Sequence, residues 1–149
     1  MIQNCFVKCS LVTVALVGGL SASAQTTTMS TNFPVGQTIP DAVPSGLASS
    51  KMVSTPIAYI SKVKVALKLT GTWNGDLYCY LSHSSGRTVL LNRVGRRATT
   101  SLGYGDEGFD VTFDDSANDI HTYRLQVTAD QAVPITGVLT NVWAHADRA

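Results

Sequence analysis

The stretch "IAYISKVKVALKL" (57–69) puts Ile57, Tyr59, Ser61, Val63, Val65, Leu67 and Leu69 at odd positions and Lys62, Lys64 and Lys68 at even ones. Side chains alternate between the two faces of a β-strand, so a period of two gives one oily face and one ammonium face. A helix would scatter those lysines around its cylinder. The pattern predicts a long, half-buried antiparallel strand, because only a sheet with one wet face tolerates this alternation.

The rest of the chain is read against that strand. "NGD" (74–76) suits a tight hairpin turn, since Asn-Gly tolerates positive φ. "LYCYLSH" (77–83) alternates again, with Leu77, Cys79 and Leu81 on one face and Tyr78 and Tyr80 on the other. "SSGR" (84–87) is a second turn and "TVLLN" (88–92) a third strand, so the three strands read as a meander. After the Gly-containing excursion 93–108 come "FDVTF" (109–113), the acidic turn "DDSAND" (114–119), and further strands at 122–127 and 134–143. No segment carries a 3.6-residue period, and there is no internal repeat. Short strands with turn signals between them predict an all-β sandwich. "FPVGQTIPDAVPSGLASS" (33–50), with its prolines and glycines, cannot hold a helix and reads as an extended lead-in. Phe33, Val35 and Ile39 are available to pin it down.

Residues 1–24 read as a secretory signal. Lys8 precedes the apolar run "LVTVALVGGL" (11–20), which is too short to span a bilayer, and "SASAQ" supplies small residues for cleavage after Ala24. The alternative is a buried apolar strand or an uncleaved anchor. Cleavage leaves a polar leader at 25–32, a domain at 33–149 and no membrane span, in a secreted or periplasmic protein. It also removes Cys5 and Cys9, so Cys79 has no partner within the chain for a disulfide. Basic and acidic residues then balance, which gives no drive toward nucleic acid. The charges are unevenly placed, however. Residues 51–97 carry Lys51, Lys62, Lys64, Lys68, Arg87, Arg93, Arg96 and Arg97 against Asp76. Residues 98–130 carry Asp106, Glu107, Asp110, Asp114, Asp115, Asp119 and Asp130 against Arg124. Folding one half against the other closes such a split without an outside partner.

From residue 60 to 92, "I-x-x-V-x-V-x-L-x-L-x-G-T-W-x-G-D-L-x-x-x-L" followed by "S-S-G-R-x-x-x-L" resembles the P domain, also called P/Homo B. That module follows the catalytic domain of subtilisin-like proprotein convertases and occurs in bacterial secreted proteins. "TIPDAVPSGLASS" (38–50) looks like the family's opening. "LLNRVGR", "GYGDEGFDVTFDDSANDIHTYRL" and "VWAHADR" look like a bacterial branch of it. The resemblance covers roughly 33–148. It implies an antiparallel, jelly-roll-like sandwich of galactose-binding-like type, without catalytic residues, that supports a protease partner. The family continues past this point with further strands. The resemblance therefore implies a domain lacking its last strands, with an open edge that another chain fills or that stays exposed, or else a truncated reading frame. The motifs of the protease itself, H-G-T and G-T-S-x-[AP], are absent.

Three sets of residues carry candidate chemistry. Asp114, Asp115 and Asp119 supply the carboxylate oxygens that Ca²⁺ selects, although their spacing is not that of an EF-hand. The other reading is a solvated acidic edge facing the basic loops, including "RVGRR" (93–97). Tyr78 and Tyr80, with Trp73 and Tyr104, offer ring faces on which a sugar can stack, against plain packing or exposure. Cys79 as a nucleophile requires a base beside it. His83 lies about 13 Å along the same strand, too far for direct proton transfer, so Cys79 reads as a small buried hydrophobe. The functional expectation is a non-catalytic module that contacts a protease, a cell-surface protein or a glycan, the glycan in a Ca²⁺-dependent manner.

Overall fold

The structure, a computed structural model, describes residues 3–5, 8–15, 25–33, 35–98, 100–124 and 135–146. Among these residues the regular elements are strands, with two single-turn 3₁₀ segments between them and two helical residues, Tyr123 and Arg124, after the second. Among the described residues no helix is long and apolar enough to cross a membrane. The strands are β1 (Gln3–Cys5), β2 (Lys8–Ala15), β3 (Gln25–Thr31), β4 (Lys62–Leu69), β5 (Leu77–His83), β6 (Gly86–Asn92), β7 (Phe109–Phe113) and β8 (Val142–Trp143). They form one sheet in the order β1-β5-β6 and another in the order β3-β2-β4-β7-β8. One apolar cluster takes Val65 and Leu67 from β4 and Phe109, Val111 and Phe113 from β7. It takes Leu77 and Cys79 from β5 and Leu90 and Leu91 from β6. Both sheets thus turn their oily faces toward one core, and the fold is all-β.

β4 behaves as its alternation requires. Val65 and Leu67 are buried, while Lys62, Lys64 and Lys68 remain on the wet side. β7 pairs antiparallel with β4 and sets Asp110 directly opposite Lys68. Their charged ends meet at 2.8 Å. One step beyond β7, Asp114 accepts both Lys62 and Lys64, at 2.8 and 2.9 Å. The basic half of the chain therefore closes on the acidic half across the β4–β7 ladder.

Several local expectations are corrected. Residues 57–61 are not strand; the β2–β4 pairing ends at Lys62 and β7 ends opposite Val65, with Tyr59 and Ile60 exposed. "NGD" is not a hairpin turn. Asn74–Asp76 is a 3₁₀ turn that carries the chain from β4 in one sheet to β5 in the other. The meander reduces to one hairpin, β5–β6, whose register shifts at a bulge between Cys79 and Tyr80. Residues 122–124 are not strand either. Thr122 ends a 3₁₀ turn capped by Asp119, and Tyr123 is right-handed helical at φ −60°, ψ −37°; residues 125–127 lie outside the described residues. Of 135–143, only Val142–Trp143 is strand, with an isolated bridge from Leu139 to Phe109, and residue 134 lies outside the described residues. Nor are the sheets wholly antiparallel, because β1–β5 and β7–β8 run parallel.

Residues 8–15, within the segment read as a leader, form β2 between β3 and β4. Gln25–Thr31, read as a polar leader or edge segment, is the edge strand β3. The junction at Ala24 lies outside the described residues.

The crossover at 74–76 depends on a close backbone approach. A Cβ on Gly75 would stand 2.6 Å from the Gly103 Cα and closer still to the Leu102 carbonyl oxygen. Both obstacles are backbone and cannot swing away. Gly75→Ala is therefore expected to lower stability by about 1–3 kcal/mol, the usual cost of overpacking. Urea unfolding followed by tryptophan fluorescence measures it.

Candidate functional site

The crossover is tied down by several buried hydrogen bonds. Asn74 is fully buried, and its side-chain amide grips Gly108 reciprocally: Gly108 N–H donates to Oδ1 at 2.7 Å and Nδ2 donates to the Gly108 carbonyl at 3.1 Å. The Gly75 N–H donates to the Tyr104 carbonyl at 2.7 Å. The turn is thereby zipped to loop 103–108. Asp106, in the middle of that loop, is buried and forms a two-point pair with Arg124, with Nε on Oδ2 at 2.9 Å and Nη2 on Oδ1 at 2.7 Å. The Tyr123 hydroxyl donates to the same Oδ2. The guanidinium sits 4.4 Å from the centroid of Tyr104, whose ring meets Tyr123 edge-on at 4.9 Å.

This cluster is arranged to hold charge still. Burial and the neighbouring Asp106 push the Tyr123 phenol far above its ordinary range, so it stays protonated. Burial alone would lower Arg124, but hydrogen bonding to Asp106 more than offsets it and keeps the guanidinium charged. The guanidinium stays charged and the phenol stays in its donor form, so neither exchanges a proton near neutral pH. At the rim, His121 Nδ1 accepts the Gly95 N–H at 3.3 Å. The Tyr104 hydroxyl donates to the His121 carbonyl at 3.3 Å. Burial lowers the His121 pKa below its ordinary 6.5, with Asp119 opposing and Arg97 assisting.

The three carboxylates considered for Ca²⁺ hold separate posts. Asp114 Oδ2 carries Lys62 and Lys64, and its Oδ1 accepts the Ser116 N–H and hydroxyl at 3.1 and 2.8 Å. The lysine ammoniums hold its carboxyl far below the usual carboxylate range. Asp115 is exposed and lies 3.3 Å from His145 Nε2. Asp119 Oδ1 accepts the His121 N–H at 2.8 Å and caps the 3₁₀ turn. Among the described residues no group of three or more His, Cys, Asp or Glu is placed to hold a metal ion. A cation at Asp114 would have to displace two ammonium groups.

Of the aromatics, Tyr104 is buried in the core and offers no face to a ligand, contrary to its inclusion among stacking candidates. Trp73 is half exposed and takes a left-handed backbone, φ 67° and ψ 59°. Tyr78 and Tyr80 do share one face of β5, their ring centroids 6.1 Å apart, and Tyr80 is exposed. Cys79 is fully buried among core residues. His83 stands at the exposed hairpin end, with Nδ1 2.8 Å from the Ser85 hydroxyl. Asp76 faces Arg93 loosely at 3.9 Å. In "RVGRR", Val94 is core and Gly95 serves His121.

One feature escaped sequence reading altogether. A cleft of about 1010 Å³ runs between the lead-in, at Phe33, Val35 and Ile39, and the C-terminal half of β4, with Lys68 and Asp110 on its wall. No local spacing encodes it, because its two walls are far apart in the chain. The Asp106–Arg124 pair was equally hidden, counted only as charges in a run. No family model, curated protein or solved structure matches the chain.

Asp106→Asn strands the Arg124 charge in the interior and is expected to cost about 3–5 kcal/mol. The double change Asp106→Leu with Arg124→Met should cost less than that single change, which urea unfolding of both proteins compares. His121 makes a second expectation. Its folded pKa is depressed, so its contribution is whole above 6.5 and is lost as pH falls through that value toward the folded one. Stability should therefore drop on acidification from pH 6.5, and His121→Gln should flatten that limb.

Proposed function

We propose that this chain is a secreted, non-catalytic accessory module of P-domain type, on a jelly-roll-like, galactose-binding-like sandwich, and that its partner is a subtilisin-like serine protease. The observation that carries this reading is the use made of the "W-x-G-D-L" core. Asn74 clamps Gly108, Gly75 touches Gly103 and Leu77 enters the core. The segment that bears the resemblance thus acts as a joint between two sheets. The reactive side chains nearest to it support the same reading, since Cys79 is sealed in the core and Asp106 is saturated by Arg124 and Tyr123.

Secretion gives the module a docking edge. Processing after Ala24 removes β2, whose backbone pairs with Lys62–Ala66 of β4. The processed protein then presents that edge to a partner's extended segment, the usual way a sheet recruits a strand. Mixing the processed protein with a subtilisin-like protease from the same organism is expected to raise the melting temperature of the protease. Turnover of a chromogenic peptide by the module alone, abolished by a serine-hydrolase inhibitor, would overturn the non-catalytic reading. An unchanged protease melting temperature would overturn the partner.

A further inference from the structure

We infer that the outer face of the β5–β6 hairpin is a binding platform for a carboxylate-bearing oligosaccharide, with Tyr78 and Tyr80 as stacking surfaces and Arg87 as the carboxylate clamp. This goes beyond the accessory role and does not depend on which protein the module accompanies.

Residues directly opposite across an antiparallel ladder share a face, and Tyr80 opposes Val89 while Ser82 opposes Arg87. Tyr78, Tyr80, Ser82 and Arg87 therefore stand on one side, away from buried Leu77 and Cys79. The two rings are tilted by 51° with centroids 6.1 Å apart, so they offer successive platforms rather than one stacked pair. The Arg87 guanidinium lies 5.5 Å from the Tyr80 centroid. No carboxylate among the described residues forms an ion pair with it, as with Lys51, Arg96 and Arg97, whereas Lys62, Lys64, Lys68, Arg93 and Arg124 each face an acid. A charged, planar fork beside an exposed phenol fits a group that brings its own carboxylate and an apolar ring face.

The surroundings narrow the class. Ser82, His83, Ser84 and Ser85 are exposed at the hairpin end and add hydroxyl and imidazole groups for sugar hydroxyls. One arginine on the face is too few to track a phosphate backbone, which requires a stripe of cations. Aromatic faces with a polar rim match the alternation of C–H face and hydroxyl edge in a pyranose. A uronate adds the carboxylate that Arg87 lacks.

The test is calorimetric titration of the full chain with oligogalacturonate, alongside a neutral cello-oligosaccharide and oligoglutamate. Saturable binding of the oligogalacturonate, weakened about tenfold or more by Tyr80→Ala and by Arg87→Gln, is expected, a loss worth about 1.4 kcal/mol each. Tyr80→Phe should retain binding and Lys68→Gln should leave it unchanged. All three positions are on the surface, so melting temperatures should match the parent. No binding at millimolar sugar would overturn the inference. So would equal binding of the neutral oligosaccharide, equal binding of oligoglutamate, or a loss with Lys68→Gln as large as with Arg87→Gln.

Discussion

The buried pair of Asp106 and Arg124 governs how the rest of the molecule sits. Taking two ions out of water costs several kcal/mol each, and attraction repays this only when the geometry is good and the remaining lone pairs are satisfied. Here two charged hydrogen bonds join the ions, and the Tyr123 hydroxyl takes a further place on the carboxylate. The face of Tyr104 covers the guanidinium. Such an arrangement admits one position of loop 103–108 relative to residues 123–124. That loop in turn holds Asn74 and Gly75, and so sets where the chain leaves β4 for β5.

A second electrostatic layer lies on the wet face. Lys68 opposite Asp110 is an exposed cross-strand pair, of the kind worth about 0–1 kcal/mol. Asp114 differs because two lysines converge on a carboxylate that is nearly enclosed. The ammonium stripe that makes β4 recognisable thus also holds the turn after β7. This pairing gives Asp110 and Asp114 of the acidic run their partners on β4.

How much was legible follows from the range of each interaction. The buried and wet faces of β4, β5 and β7 were readable because alternation is local: Val65, Cys79 and Val111 are inside and Lys68 and Asp110 outside. "NGD" misled because its dipeptide is also a good hairpin turn. Asn74 instead turns inward to bond Gly108, thirty-four positions away. "TYRLQV" misled in the same manner. Its Tyr123 and Arg124 alternate like strand residues, but the buried Asp106 recruits both, and a helical turn at Tyr123 accompanies this. Opposite charges of the two halves do meet, but at the lysines of β4 and not in the loop 93–97, and Asp106 takes Arg124 from its own half; which acid meets which base depended on strand register.

The sequence by itself determined that this is a chain of short strands, which face of each strand is oily, that Cys79 packs as a hydrophobe, and that opposite charges in its two halves can neutralise each other. These properties follow from side-chain period and composition. Only the tertiary structure decided that β4 and β5 belong to different sheets, that Asp106 is buried with Arg124, and that Tyr80 and Arg87 share an open face while Tyr104 does not. The physical reason is that hydropathy acts between a residue and water and is written locally. A buried ion pair, a backbone contact between two glycines and a strand register exist only when distant segments meet.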